Sequence, residues 1–149
     1  MANKLKGCAG IEGRVTILKN DKVESTTNLT MDDGRNWIAE RICGADNPAT
    51  HIGVGEGTTA PAVDNTALGS ELFRKALDVE GGTSNANVST FRSVFREGEA
   101  TGAITEAGLF LAGTGGRMTN RATFPVVNKG ANDVVTIIWD IEILPTPAP

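Results

Sequence analysis

The clearest alternation of apolar and polar positions in this chain runs from Val134 to Leu144, VVTIIWDIEIL. Successive side chains of a β-strand point to opposite faces, so one face of this segment is wholly apolar and the other is mixed. Three prolines follow between positions 145 and 149, and proline cannot donate a hydrogen bond to a strand ladder. The pattern predicts one long, half-buried strand. Its apolar face carries Val135, Ile137, Trp139, Ile141 and Ile143.

Similar short segments recur at intervals of about ten residues and are separated by turn-forming residues, which is typical of a β-sandwich or barrel. In the segment 88–97, Phe91 and Phe95 fall on one face, and Arg92 and Arg96 on the other. We expect a helical turn over 65–72 and a strand that Pro125 stops. The predicted strands cover 14–18, 23–29, 50–54, 73–79, 88–97, 103–111, 117–124 and 134–144.

One segment has helical spacing instead, at about residues 32–43. Asp32 or Asp33 stands where a carboxylate can cap the helix N-terminus, and Gly44 stands where a C-terminal glycine belongs. The spacing of the apolar residues predicts a buried stripe made of Trp37, Ile38 and Ile42.

The pattern as a whole predicts a mainly β protein, a single antiparallel β-sandwich or barrel-like domain with one short α-helix. We expect an extended N-terminal arm over residues 1–13, the β-rich domain over 14–144, and a proline-rich tail over 145–149. A chain of 149 residues is long enough to bury one core.

Charge and composition argue against two classes of binding partner. The net charge of −4 argues against a nucleic-acid binder held by phosphate contacts. We expect no association with a membrane, because no apolar run approaches the length of about 20 residues that a spanning helix needs. The N-terminus has no apolar signal region, so we expect synthesis in the cytoplasm and two free thiols, Cys8 and Cys43.

The glycine-rich segment Gly53-x-Gly55-x-Gly57 follows a predicted strand, as a dinucleotide fingerprint would. The fingerprint would place its third glycine at position 58, which is Thr here, and Pro61 stands where its helix should run. We therefore interpret the segment as a loop at the end of a strand.

The remaining reactive side chains are scattered. His51 is the only histidine and no Gly-x-Ser-x-Gly nucleophile elbow accompanies it. No metal-ligand spacing occurs around Asp32 and Asp33, and Glu97 and Glu99 flank a turn as a solvated pair. We expect no catalytic residue, no metal, no cofactor and no small-molecule substrate, so the chain is not expected to be an enzyme.

The stretch THIGVGEGTTAPAVDNTALGSELFRKAL, residues 50–77, resembles small structural proteins of tailed bacteriophages. In that family a strand with the pattern xIxxGxGTT-AP is followed by DTALxxEL-xR, and here Asn65 separates Asp64 from Thr66. Residues 98–110 and 120–139 resemble the closing strands of the same family. The matching positions are Ile52, Gly55, Gly57, Thr58, Thr59, Ala60, Pro61, Thr66, Ala67, Leu68, Glu71, Leu72 and Arg74.

The resemblance implies a capsid decoration, or cement, protein: a β-rich and commonly trimeric domain on the virion surface that clamps neighbouring major capsid subunits. The alternative is a small tail, collar or baseplate protein, because ITEAGLF (104–110) also resembles the IxExGLF element of collar and tail-fibre domains. The implied partners are the major capsid protein and further copies of this chain.

Basic residues are the candidates for these contacts. Lys4, Lys6 and Arg14 are expected to meet capsid carboxylates, and the arm to add a strand to an open sheet edge. For Arg92 and Arg96 two interpretations stay open, an interface ion pair and a solvated surface.

Overall fold

A computed structural model describes residues 10–20 and 22–144 of the chain. The elements are β1 (Ile11–Lys19), β2 (Lys22–Thr30), α1 (Asp32–Ile42), β3 (His51–Gly55), β4 (Glu71–Ala76), β5 (Thr83–Asn85), β6 (Val88–Phe95), β7 (Gly102–Phe110), β8 (Met118–Lys129) and β9 (Val135–Ile143).

The strands form one antiparallel sheet in the order β4-β3-β7-β8-β2-β1-β9-β6-β5. The sheet curls into a half-barrel that brings the segment after β4 close to β6, where Asp78 N donates to Arg92 O at 2.8 Å. There Phe73 and Phe95 pack edge to face with their ring centroids 6.2 Å apart. The mainly β, barrel-like architecture with one short helix is confirmed.

Strand β9 lies between β1 and β6, and its apolar face forms the floor of the core. Val135, Ile137 and Trp139 have no exposed surface. Ile143, the last residue of the predicted apolar face, is 46% exposed because the sheet ends beside it.

Helix α1 ends as its sequence predicts and begins otherwise. Gly44 has a φ of +76°, and the amides of Gly44 and Ala45 donate to Arg41 O and Glu40 O, which closes a Schellman motif. At the other end no side chain caps the helix, and Met31 occupies the N-cap position. The predicted capping hydrogen bond from Asp32 or Asp33 is therefore wrong.

The predicted apolar stripe of α1 is only partly buried. Trp37 is 7% exposed and donates its indole N–H to Asn47 O at 2.7 Å, whereas Ile42 is 82% exposed. The first turn of the helix packs closely against β8, where a Cβ on Gly34 would overlap Thr119 O.

The boundary of the predicted arm needs correction. Ile11, Glu12 and Gly13 pair with β9, from Ile11–Ile143 to Gly13–Ile141, so β1 begins three residues before the predicted domain start. Residues 1–9 of the arm, with Lys4, Lys6 and Cys8, and the tail 145–149 lie outside the described residues.

Pro125 does not stop a strand, because β8 continues through it to Lys129. The β7–β8 register shifts between Ile104–Val127 and Glu106–Thr123, which leaves Pro125 at an irregularity where no ladder donor is needed. Likewise, no helical turn forms over 65–72, since this segment is loop until β4 begins at Glu71.

Candidate functional site

A carboxylate buried in the sheet holds the glycine-rich segment that follows β3, within the stretch 50–77 described above. Glu106 lies in β7 with no exposed surface. Its Oε1 accepts hydrogen bonds from the backbone amides of Gly57 (2.9 Å) and Ser70 (2.8 Å), and its Oε2 accepts one from Gly69 N (2.9 Å). Glu106 thus binds both ends of residues 56–70, which we call the clamped loop.

Arg121, in the neighbouring strand β8, completes this arrangement. Its Nε and Nη2 donate to Oε2 of Glu106 at 3.1 and 2.9 Å, which makes an ion pair whose members are almost fully buried. The same guanidinium donates to Thr59 O (2.9 Å) and to Oδ1 of Asn65 (3.1 Å) in the clamped loop. One side chain therefore joins the sheet, the carboxylate and the middle of the loop.

Two glycines of the motif make room for the carboxylate. A Cβ atom on Gly55 or Gly57 would lie 2.5 Å from Oε1 of Glu106, closer than packed atoms approach. The interpretation of Gly53-x-Gly55-x-Gly57 as a loop at the end of a strand holds only for Gly57, since Gly53 and Gly55 lie within β3, which ends at Gly55. Nearby, Thr105 Oγ1 donates to Gly57 O at 2.8 Å and holds the loop from a second side.

The clamped loop also covers a small apolar cluster on the same side of the sheet. Leu68 of the loop packs with Met31, Phe110 and Met118. A Cβ on Gly108 would lie within 3.1 Å of Leu68, Phe110 and Met118, so this glycine is a site of close approach.

The charge state of Glu106 follows from these contacts. Burial alone would raise the pKa of its carboxyl, but the amides of Ser70 and Gly69, the Arg121 guanidinium and the amide of Gly57 outweigh burial and lower it. The carboxylate is charged and its two oxygens accept five hydrogen bonds. These bonds suit it to stabilise the fold rather than to transfer protons.

Of the basic residues predicted to form an interface, Arg14 and Arg92 lie on the same face of the sheet and Arg96 does not. Arg14 and Arg92 lie on the outer face of the sheet, on the two strands that flank β9, where Arg14 pairs with Asp140 and Arg92 with Ile138. Arg92 also forms an ion pair with Asp78. Arg96 lies beyond the end of β6 and is exposed.

Arg14 stands in the most charged part of that face. It lines a shallow depression together with Glu12, Asp140 and Glu142, and Glu12 lies directly opposite Glu142 in the β1–β9 ladder. Like charges at directly opposed positions are unfavourable in a sheet. A cationic partner group would relieve this repulsion, so the strip is a candidate contact surface.

An apolar groove lies at the end of the half-barrel, between α1 and the ends of β6 and β9. It has a volume of about 360 Å³ and its floor includes Trp37, Phe91 and Ile141. Ile42 and Ile143 line its rim, and Ile11, 39% exposed, pairs with Ile143 at the sheet edge. Exposed apolar residues grouped in this way are typical of contact surfaces.

Other residues with possible chemistry have local partners. His51 Nδ1 lies 2.7 Å from Thr50 Oγ1, and burial with the nearby Arg74 charge lowers its pKa. Glu99 binds Lys75 at 2.6 Å, which lowers the pKa of that carboxyl, and caps Arg96 N at 2.8 Å. Cys43 is an exposed free thiol.

Sequence reasoning did not single out Glu106 or Arg121, although both lie in segments with the phage resemblance. A signal was present: Glu106 is the one charged residue within the apolar run AITEAGLFLA, residues 103–112. A charged residue is almost never fully buried unless it is paired.

Across residues 10–20 and 22–144, no group of three or more His, Cys, Asp or Glu side chains is arranged to hold a metal ion. No helix among those residues is long and apolar enough to cross a membrane. Comparison with family models, with curated proteins and with solved structures finds no match for this chain.

Proposed function

We propose that this chain is a structural protein of a tailed-bacteriophage virion, and specifically a capsid decoration protein that binds the outer surface of the expanded head. The observation that supports this is the position of the family-like residues. Gly55 and Gly57 leave room for the Glu106 carboxylate, and Leu68 packs under the clamped loop; the loop is held by Glu106 and Arg121, which come from the other two similar segments. The resemblance therefore coincides with a physical unit of the fold.

The proposed mechanism is mechanical. Packaged DNA strains the contacts between major capsid subunits. A protein that binds only the expanded lattice stabilises that lattice by mass action, by about 2.7 kcal/mol per site at a free concentration 100 times Kd. No bond is made or broken in this activity.

A stiff body suits such a role. Ordering side chains and loops on binding costs about 0.5–1.5 kcal/mol for each mobile side chain, which lowers affinity. The clamped loop is already ordered by Glu106, Arg121 and Thr105. Contacts made through this loop would carry little of that cost.

A second candidate is a small tail, collar or baseplate protein. Strand β7 carries the ITEAGLF segment that also resembles collar and tail-fibre domains, and its Glu106 is the centre of the clamp. The same clamped loop would serve in either position of the virion.

Binding to purified heads tests the proposal. The protein is titrated onto expanded heads that lack it and onto unexpanded shells of the phage that encodes it. We expect saturable binding to expanded heads, weaker binding to the unexpanded shells, and a higher temperature of head disruption after binding. Expanded heads that remain bare at saturating protein would refute the decoration role, and binding to isolated tails instead would favour the second candidate.

A further inference from the structure

Strand β2 has an open edge. It pairs with β1 along its length, from Gly13–Asn28 to Lys19–Lys22, but with β8 only at Leu29–Arg121 and Thr30–Asn120. Within the described residues, the edge of β2 from Val23 to Asn28 has no strand partner.

The direction of the peptide groups along this edge follows from one hydrogen bond. Met31 N donates to Thr119 O of β8 at 2.9 Å, and peptide groups of a strand alternate between its two sides. Val23, Ser25 and Thr27 therefore present their N–H and C=O groups to the open side. This edge offers three donors and three acceptors at the spacing of a strand.

A narrow cleft and two exposed valines lie beside this edge. A cleft of about 170 Å³ lies between β2 and β8 and is lined in part by Glu24 and Val126. Val23 is 63% exposed and Val126 53% exposed. Natural edges are commonly protected by proline, by charged side chains or by being short; the open part of β2 has six residues, no proline and one charged residue, Glu24.

We propose that the open edge of β2 binds residues 2–9 of a second copy of this chain as an added strand. At least nine residues precede Gly10, enough to span the six open positions from Val23 to Asn28. Lys4 and Lys6 alternate in that segment, so an extended form places both on one face, and Glu24 is an exposed carboxylate on the accepting edge. This inference deepens the proposed function, since it specifies how copies on a capsid contact one another.

The position of Gly10 favours a segment donated by another copy, and a monomeric full chain in the test below would count against this. Gly10 O accepts from Leu144 N at 2.9 Å, which holds Gly10 on the β9 side of β1. Within one copy, β2 itself and its pairs with β8 at Leu29 and Thr30 stand between Gly10 and the open edge. Donation from copy to copy uses two different surfaces, so the contacts can close into a ring such as a trimer.

The first test measures oligomeric state by light scattering, without any capsid present. The full chain is compared with a variant that lacks residues 2–9, at equal concentration. We expect the full chain to be an oligomer and the truncated chain to be a monomer with an unchanged unfolding temperature. A monomeric full chain, or a truncated chain that keeps the oligomer, would overturn the inference.

The second test locates the contact. Hydrogen exchange at the amides of Val23, Ser25 and Thr27 should be slowed at least tenfold in the full chain relative to the truncated one. Ser25→Pro removes one outward-facing donor and should release the oligomer, whereas Ser25→Ala keeps the N–H and should not. Equal exchange rates in the two chains contradict the proposed edge, even where Ser25→Pro fails to fold.

These outcomes are separable from those of the proposed function. Loss of capsid binding with an intact oligomer would count against decoration alone. Capsid binding by a monomeric full chain would count against strand exchange alone.

Discussion

At the scale of single residues, the Glu106–Arg121 pair is the strongest determinant of local structure. Removing one member of a buried, hydrogen-bonded pair leaves an uncompensated charge and costs about 3–5 kcal/mol, whereas an exposed pair contributes about 0–1 kcal/mol. The contrast between these two values tests whether the Glu106–Arg121 pair holds the clamped loop.

Glu106→Gln should lower the free energy of unfolding by about 3–5 kcal/mol in urea titrations. The amide that replaces one carboxylate oxygen faces backbone donors and the Arg121 guanidinium, so at least one hydrogen bond becomes a clash of donors. Asp78→Asn is the matched control, because the Asp78–Arg92 pair is largely exposed, and it should cost at most about 1 kcal/mol. Equal effects of the two substitutions would contradict the clamp.

The lowered pKa of Glu106 predicts how stability depends on pH. A carboxyl whose pKa is lower in the folded chain contributes its full stabilisation above its unfolded pKa, and this contribution is lost as pH falls through the folded value. The difference in unfolding free energy between the native chain and Glu106→Gln should therefore be constant near neutrality and shrink below about pH 4. A difference that does not change with acidification would show that the carboxylate charge is not what holds the loop.

At the scale of elements, the clamped loop depends on the glycines that approach Glu106. Gly57→Ala should destabilise the fold by about 1–3 kcal/mol, because the added Cβ would lie 2.5 Å from Oε1 of Glu106. Gly10→Ala is the control, since its Cβ would meet only Leu144 at an ordinary 3.5 Å, and it should change stability by less than about 0.5 kcal/mol. The unfolding temperatures of the two variants measure this difference. Equal unfolding temperatures would contradict the close contact between Gly57 and Glu106.

Helix α1 gives a second test at this scale. Trp37→Ala should cost about 3–5 kcal/mol, whereas Ile42→Ala should cost less than about 0.5 kcal/mol because Ile42 is 82% exposed. Urea denaturation of the two variants distinguishes the observed packing from the continuous buried stripe that the sequence predicts. A large loss of unfolding free energy for Ile42→Ala would instead support the continuous buried stripe.

Much of the sheet could be predicted from local sequence. The alternation in β9, the Phe and Arg faces of β6 and the glycine after α1 each depend on neighbours within a few residues. The exposure of Ile42 and the continuation of β8 through Pro125 depend on contacts between residues distant in sequence, which a local pattern does not contain. The clamp belongs to the same class, because Glu106 lies 49 residues from Gly57 and 15 from Arg121.

At the scale of the whole molecule, the half-barrel presents three candidate contact regions: the charged strip around Arg14, the apolar groove beside α1 and the open edge of β2. A decoration protein needs at least one surface for the capsid and one for its neighbours. The strip is suited to a cationic group of a partner, and the edge to a strand from another copy. The proposed decoration role therefore requires many identical copies to lie side by side.

The number of copies in each purified virion tests that requirement most directly. Quantitative mass spectrometry, with the major capsid protein as the internal standard, gives the ratio of this chain to the capsid subunit. For a decoration protein we expect copies on the order of hundreds, in a simple ratio set by the lattice symmetry. A count of about six or twelve, as a tail ring would have, or absence from the particle, would contradict it.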